Sequence, residues 1–159
     1  LYVRREKIRS LWPLMAGGPD QTADIRKYEE IGTHPAANHN AISAALAFHR
    51  GIGSERKAAR LRLLRDRWAK RLLEEAEDRV RILTPLDSPY GAGICLVSVS
   101  GLDIGKTVSW LYDRHRIVTT PIIHAEFSGL RITPNVYTTI DEIDLFADRM
   151  LQAVRNGLA

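Results

Sequence analysis

The sequence predicts an α+β fold, a small and largely antiparallel sheet with helices packed on one face. Three observations carry that expectation. From Ser54 onward the segments alternate as helix, strand, strand, helix, strands, helix. The stretch from Ser54 to about Asp78 is laced with charge, yet Leu61, Leu64, Trp68 and Leu72 recur at steps of three, four and four, one stripe of a long helix of about 35 Å. Near the end, Thr139 and Glu142 form a capping box ahead of Ile143, Phe146, Met150 and Ala153, the buried stripe of a final helix.

Taken in order, Leu1 to Arg4 reads as a strand end and Arg5 to Trp12 as a short helix stopped by Pro13. Ala16-Gly17-Gly18-Pro19-Asp20 is a loop by composition. Tyr28 to Asn40 has no clear period. Ala41 to Arg50 reads as a helix with apolar residues most of the way round, hence a well-buried one. Gly51 and Gly53 end it, and Ser54 caps the long helix. Val80 to Leu83 reads as a strand, Asp87 to Gly91 as a turn, and Ile94 to Val99 as a strong strand. A helix follows from Leu102 or Asp103 to about His115. Ile117 to Ile123 and Leu130 to Thr133 supply further strands.

The chain has 159 residues, a formal net charge of +4, 45% hydrophobic and 26% charged residues, the balance of an ordinary globular protein with a real core. Cys95, the single cysteine, excludes an internal disulfide and sits in an apolar run, so a buried, inert thiol is expected. No apolar run approaches the length of a membrane-spanning helix. A pI of about 9.5 raises nucleic acid as a partner, but the basic residues concentrate between Arg56 and Arg71 and are followed at once by Glu74, Glu75, Glu77 and Asp78. A non-catalytic module that binds nucleic acid or an acidic partner through that helix is the alternative reading. The preferred reading has no nucleic-acid and no membrane partner.

Some motifs are incomplete. Gly101-Leu-Asp-Ile-Gly-Lys-Thr107 resembles a phosphate-binding loop but has three residues between the glycines where that loop needs four. The five histidines form no metal-ligand spacing, so no metal is expected. No nucleophile elbow is present. Two stretches do carry chemistry. Gly32-Thr33 ahead of a helix offers a hydroxyl, free backbone N–H groups and a helix dipole for an anion; equally, Thr33 could be a plain N-cap with Pro35 in the first turn. Arg131, between Leu130 and Ile132, could clamp a carboxylate in a bidentate fork, or be an edge-strand arginine that faces water or pairs with Glu126.

"LYVRREKI", "YEEIGTHPAANHNAISAALAFHRGIG" and "LRITPNVYTTIDEIDLFADRML" together resemble the C-terminal part of the class V aminotransferases. These are pyridoxal-phosphate enzymes that include isopenicillin N epimerase-like proteins, cysteine desulfurases and selenocysteine lyases. The resemblance covers nearly the whole chain; its Arg-Ile-Thr-Pro ending is the most specific part, and the Gly-Thr segment points to the epimerase-like branch. It implies the small C-terminal domain of a fold-type-I transferase over residues 54–159, preceded over 1–53 by the last strand, a helix and the crossing segment of the large domain. It implies a cytoplasmic homodimer acting on an amino acid by transamination, epimerisation or elimination. Arg131 matches the arginine that binds the substrate α-carboxylate. Gly32 and Thr33 match the segment that reaches the cofactor phosphate of the neighbouring subunit. Lys7, Lys27, Lys57, Lys70 and Lys106 do not match the Schiff-base lysine, so the catalytic lysine is expected upstream of Leu1, with the natural N-terminus, and this portion alone is expected to be inactive.

Overall fold

A computed structural model describes residues 2–29 and 32–158, in two compact units, 1–48 and 49–159. In the first unit, helix α1 (Arg5–Ile8) and two 3-10 turns, Pro19–Gln21 and Ile25–Tyr28, lead towards helix α2 (Ala36–Ile52). Among the described residues of this unit the buried side chains are Ile8 and Lys27. The Lys27 ammonium donates to the carbonyls of Ile8 and Thr22, and the Tyr28 hydroxyl donates to those of Ile8 (3.2 Å) and Leu11 (3.3 Å). These bonds fasten the loop to α1 through backbone acceptors where apolar side chains are scarce. The strand expected from Leu1 to Arg4 falls partly outside the described residues. From Tyr2 to Arg4 no strand forms.

Helix α2 is longer than expected and is not buried. Its apolar residues Ile42, Leu46 and Phe48 are 58%, 47% and 61% exposed. The all-round apolar pattern suffices for a helix, but burial needs a facing surface, which a pattern within the segment does not encode. Gly53, at φ 87°, breaks α2 from helix α3 (Ser54–Ala76); it takes the N-cap position expected of Ser54, which is instead the first residue of α3.

The second unit is the expected α+β layer pair. Strands β1 (Val80–Ile82), β2 (Cys95–Val99), β3 (Thr120–Ile123) and β4 (Ser128–Ile132) form one sheet in the order β1-β2-β4-β3, antiparallel throughout. Helices α3, α4 (Ile104–His115) and α5 (Ile140–Asn156) enclose the core with it. Cys95 pairs with Ile132 and Val97 with Leu130, and all four side chains are buried among Leu64, Trp68, Leu72, Leu111, Phe146 and Met150. The Trp68 and Phe146 rings meet edge to face, centroids 5.4 Å apart. Strand alternation sends Leu96, Ser98, Arg131 and Thr120 to the opposite, helix-free face.

The capping box of α5 is complete: Thr139 Oγ1 accepts from the Glu142 N–H at 3.2 Å, and the Glu142 carboxylate accepts from the Thr139 N–H at 2.7 Å. Asp103 caps α4, and Thr107 Oγ1 donates to the Asp103 carbonyl at 2.6 Å. The phosphate-loop look-alike is therefore a helix start whose threonine is buried and already bonded.

Strands β2 and β4 approach closely at Gly129, where a Cβ would stand 2.4 Å from the Val97 carbonyl oxygen. Backbone cannot yield there as a side chain would, so Gly129→Ala is expected to lower unfolding free energy by about 1–3 kcal/mol, read from urea titration.

Acid should loosen the unit in two steps. Burial holds His115 below its ordinary value, with Arg149 and Arg114 adding to it. Hydrogen bonds from Arg67 hold Asp144 low, and those from Arg71 and Arg155 hold Glu75 low. Each group binds its proton more weakly folded than unfolded. Its contribution is present above the unfolded pKa and lost as pH falls through the folded one. The urea midpoint should decline below about pH 6.5 and again below about pH 4; His115→Gln should flatten the first decline only.

Candidate functional site

Arg131 lies on β4, which is paired on both sides, with Leu96 opposite it on β2 and Thr120 opposite it on β3. The edge-strand alternative is thereby corrected: β4 is an interior strand. Its neighbours fix the Arg131 backbone while the side chain stands exposed on the helix-free face. Among the described residues Arg131 enters no ion pair, with Glu126 or any other acid. A guanidinium held at its base and free at its tip presents a planar fork of donors that matches a carboxylate.

Gly32 and Thr33 belong to the other unit. Their neighbours Glu30 and Ile31 lie outside the described residues. Gly32 has φ 84°, and a Cβ there would meet nothing within 4 Å, so glycine is needed for the backbone conformation and not for room. Helix α2 begins at Ala36, and the Pro35 carbonyl accepts its first bonds, from Asn38 at 3.0 Å and His39 at 3.3 Å. Thr33 is two residues too early to be the N-cap, so the capping alternative does not describe it; its side chain is exposed. The segment is pinned by His34, whose Nε2 lies 2.7 Å from the Glu29 carbonyl oxygen.

Five arginines of the basic run on α3 act as internal clamps. Arg60 donates to the Thr138 carbonyl at 2.9 Å. Arg62 donates to the Gly91 and Pro89 carbonyls, both at 2.9 Å. Arg65, 1% exposed, bonds Asp66 at 2.7 Å and the Leu86 carbonyl at 2.5 Å. Arg67 forms a two-bond fork with Asp144, and Arg71 pairs with Glu75 and Asp148. Reading by composition missed these roles because half of the acceptors are backbone carbonyls, which leave no residue signature, and the carboxylates of Asp144 and Asp148 lie on another helix, distant in sequence.

Cys95 is fully buried, and burial raises its thiol pKa. Among the described residues no group of three His, Cys, Asp or Glu is placed to hold a metal ion, and no helix is long and apolar enough to cross a membrane.

No family model matches the chain. It is 29% identical over 156 residues to a probable hercynylcysteine sulfoxide lyase of Mycobacterium tuberculosis (strain CDC 1551 / Oshkosh), covering 93% of this chain and 38% of that protein. It is 33% identical over 131 residues to the isopenicillin N epimerase of Streptomyces clavuligerus, covering 81% of this chain and 32% of that protein. The chain thus spans about a third of the curated relatives it matches. Its fold matches the apo structure of a cysteine desulfurase from Thermococcus onnurineus NA1 with a TM-score of 0.79 at 21% identity, over 97% of this chain and 42% of that one.

The buried thiol makes a direct prediction. A charged thiol reagent should label Cys95 only as fast as the second unit opens, and rapidly in denaturant; fast labelling of the folded chain would contradict its placement in the core. The two sequence relatives support a likeness to the C-terminal part of the class V aminotransferase-like pyridoxal-phosphate enzymes, and the solved structure shows that the fold is shared.

Proposed function

We propose that the chain is the C-terminal portion of a pyridoxal-phosphate enzyme that acts on an amino acid by transamination, epimerisation or elimination. Arg131 carries this reading: a charge fixed on an interior strand, exposed, and without an ion-pair partner among the described residues. In it Arg131 receives the substrate α-carboxylate. Strand pairing on both sides holds its backbone in place before substrate arrives, so little ordering remains to be done on binding. Leu96 and Thr120 flank it and limit its sideways travel.

The residues present fit the cofactor's phosphate in chemistry. Gly32 turns the chain, Thr33 offers an exposed hydroxyl, and the start of α2 adds unpaired N–H groups and the positive end of a dipole. In the proposed homodimer this segment serves the neighbouring subunit. Bound pyridoxal phosphate supplies the electron sink, and the protein selects which substrate bond lies open to reaction. In this reading residues 54–159 are the small domain and 1–53 the end of the large one, and the enzyme is cytoplasmic. None of the five lysines matches the catalytic position, so the 159-residue chain alone neither holds the cofactor covalently nor turns over.

A thiol that accepts sulfur is not on offer in this portion. Cys95 is the single cysteine and is buried within the sheet. That favours chemistry at the substrate's own carbon atoms over sulfur transfer to this part of the chain.

The test uses the full-length enzyme loaded with cofactor. Arg131→Ala should weaken amino-acid binding by about 3 kcal/mol while cofactor content stays constant. Thr33→Val should weaken cofactor retention by about 2 kcal/mol and leave the unfolding of residues 54–159 unchanged. Unaltered amino-acid binding in Arg131→Ala would reject the assignment.

A further inference from the structure

The helix-free face around Arg131 has a consistent chemistry at one end. Leu96 stands directly opposite Arg131. The alternation that buries Cys95 and Val97 turns Leu96 the other way. Ile94, one residue before β2, follows the same alternation and is 62% exposed. Its diagonal position puts it within roughly 8 Å of Arg131, in reach of anything bound there. On the far side is the hydroxyl of Thr120. The other charge placed on this face by the register is Arg81, opposite Ser98, at the β1 edge.

Ile94 is not on a loose loop. The Leu83 N–H donates to the Leu96 carbonyl and the Leu96 N–H to Thr84 Oγ1, both at 2.9 Å, closing the loop at its base. Arg62 holds the Pro89 and Gly91 carbonyls, and the buried Arg65 holds that of Leu86. Gly93 is wedged: a Cβ there would lie 3.3 Å from both Leu61 and the Pro134 carbonyl oxygen. Burying a guanidinium to fix a surface loop is costly, and the residue these anchors deliver to the sheet is an exposed isoleucine.

We propose that Ile94, with Leu96, forms the specificity wall beside Arg131 and selects amino acids with apolar side chains, and that Arg62 and Arg65 are positioning residues for that wall. The inference rests on Arg131 holding the substrate carboxylate. A carboxylate seated there leaves the α-carbon one bond away, so the side chain falls against its neighbours on the face. An apolar side chain buries surface on Ile94 and Leu96. A second carboxylate or an amide pressed against Ile94 and Leu96 loses water and gains no partner from those two side chains.

The experiment titrates the cofactor-loaded full-length enzyme with L-leucine, L-asparagine and L-glutamate, reading dissociation constants from the change in the cofactor's visible band. The wild type should prefer L-leucine by about tenfold or more, and Ile94→Asn should erase about tenfold of that preference. Ile94→Thr, which keeps a β-branched side chain at the strand end, should shift it the same way if the asparagine variant folds poorly. Arg62→Met should follow Ile94→Asn, with Arg62→Lys recovering part of the loss. In the 159-residue chain Arg62→Met should speed amide exchange at Gly91 and Ile94 and leave α5 protected. Tyr90→Ala, at the fully exposed loop tip, should change nothing. If Arg131→Ala abolishes binding while Ile94 and Arg62 variants keep the wild-type preference, the wall is refuted and the carboxylate clamp stands. If Arg131→Ala binds all three amino acids as the wild type does, the clamp fails and the wall with it.

Discussion

The packing of Trp68 against Phe146 is the constraint on which the second unit is built. It joins α3 to α5 at the centre of the core, with Leu64, Leu72, Met150 and Ala147 around it. Its edge-to-face geometry fixes how far apart the two helices run and how each is rotated. With that rotation set, Arg67 and Arg71 face Asp144 and Asp148 across the seam, and Arg155 reaches back to Glu75. Such partly exposed pairs contribute modestly each. Their effect is on register, because a shift of one residue along α3 would break all of them together.

The same rotation determines what the rest of α3 can do. A helix has several faces, and only one is spent on the core. Arg62 and Arg65, three residues apart, share another, and it meets the loop between β1 and β2. Arg60 reaches the turn that follows β4. One helix, oriented by one aromatic contact, therefore braces both loops that border the Arg131 end of the sheet. Arg60, Arg62 and Arg65 are put to this use: a guanidinium can hold more than one acceptor in a fixed fork, which a lysine ammonium on a flexible stem does less well.

The second unit was largely legible in the sequence because its signals are local. A stripe at steps of three and four, a capping box and short β-branched runs each report their own segment. Helix α2 shows where such signals stop. Its apolar residues predicted a helix and a burial, but only the first depends on the segment itself. The second depends on what faces Ile42, Leu46 and Phe48, and no pattern within the helix encodes that. The status of Arg131 was illegible for a similar reason. Edge and interior strands read alike until the strand order is known; β3 joins β4 by a short hairpin, but the pairing of β4 with β2 spans α4 and β3, and local sequence does not specify it. The clamps of Arg60, Arg62 and Arg65 on loop carbonyls escaped because backbone carbonyls have no identity.

An interior strand is an unusual place to keep an exposed arginine, and the sheet explains how it is tolerated. A charge on a sheet face is expensive only if the face is covered by apolar groups. Here the helices of the second unit lie on the other side, so the Arg131 guanidinium keeps its water. Both neighbouring strands meanwhile hold its Cα, which a loop could not do. The arrangement gives this charge the rigidity of a core residue and the hydration of a surface one. In the proposed reading the apolar side chains beside it, half-buried Leu96 and exposed Ile94, gain from the same geometry, because a ligand held by its carboxylate would bring its side chain against them. In that reading charge recognition and side-chain recognition are consecutive consequences of a single strand register.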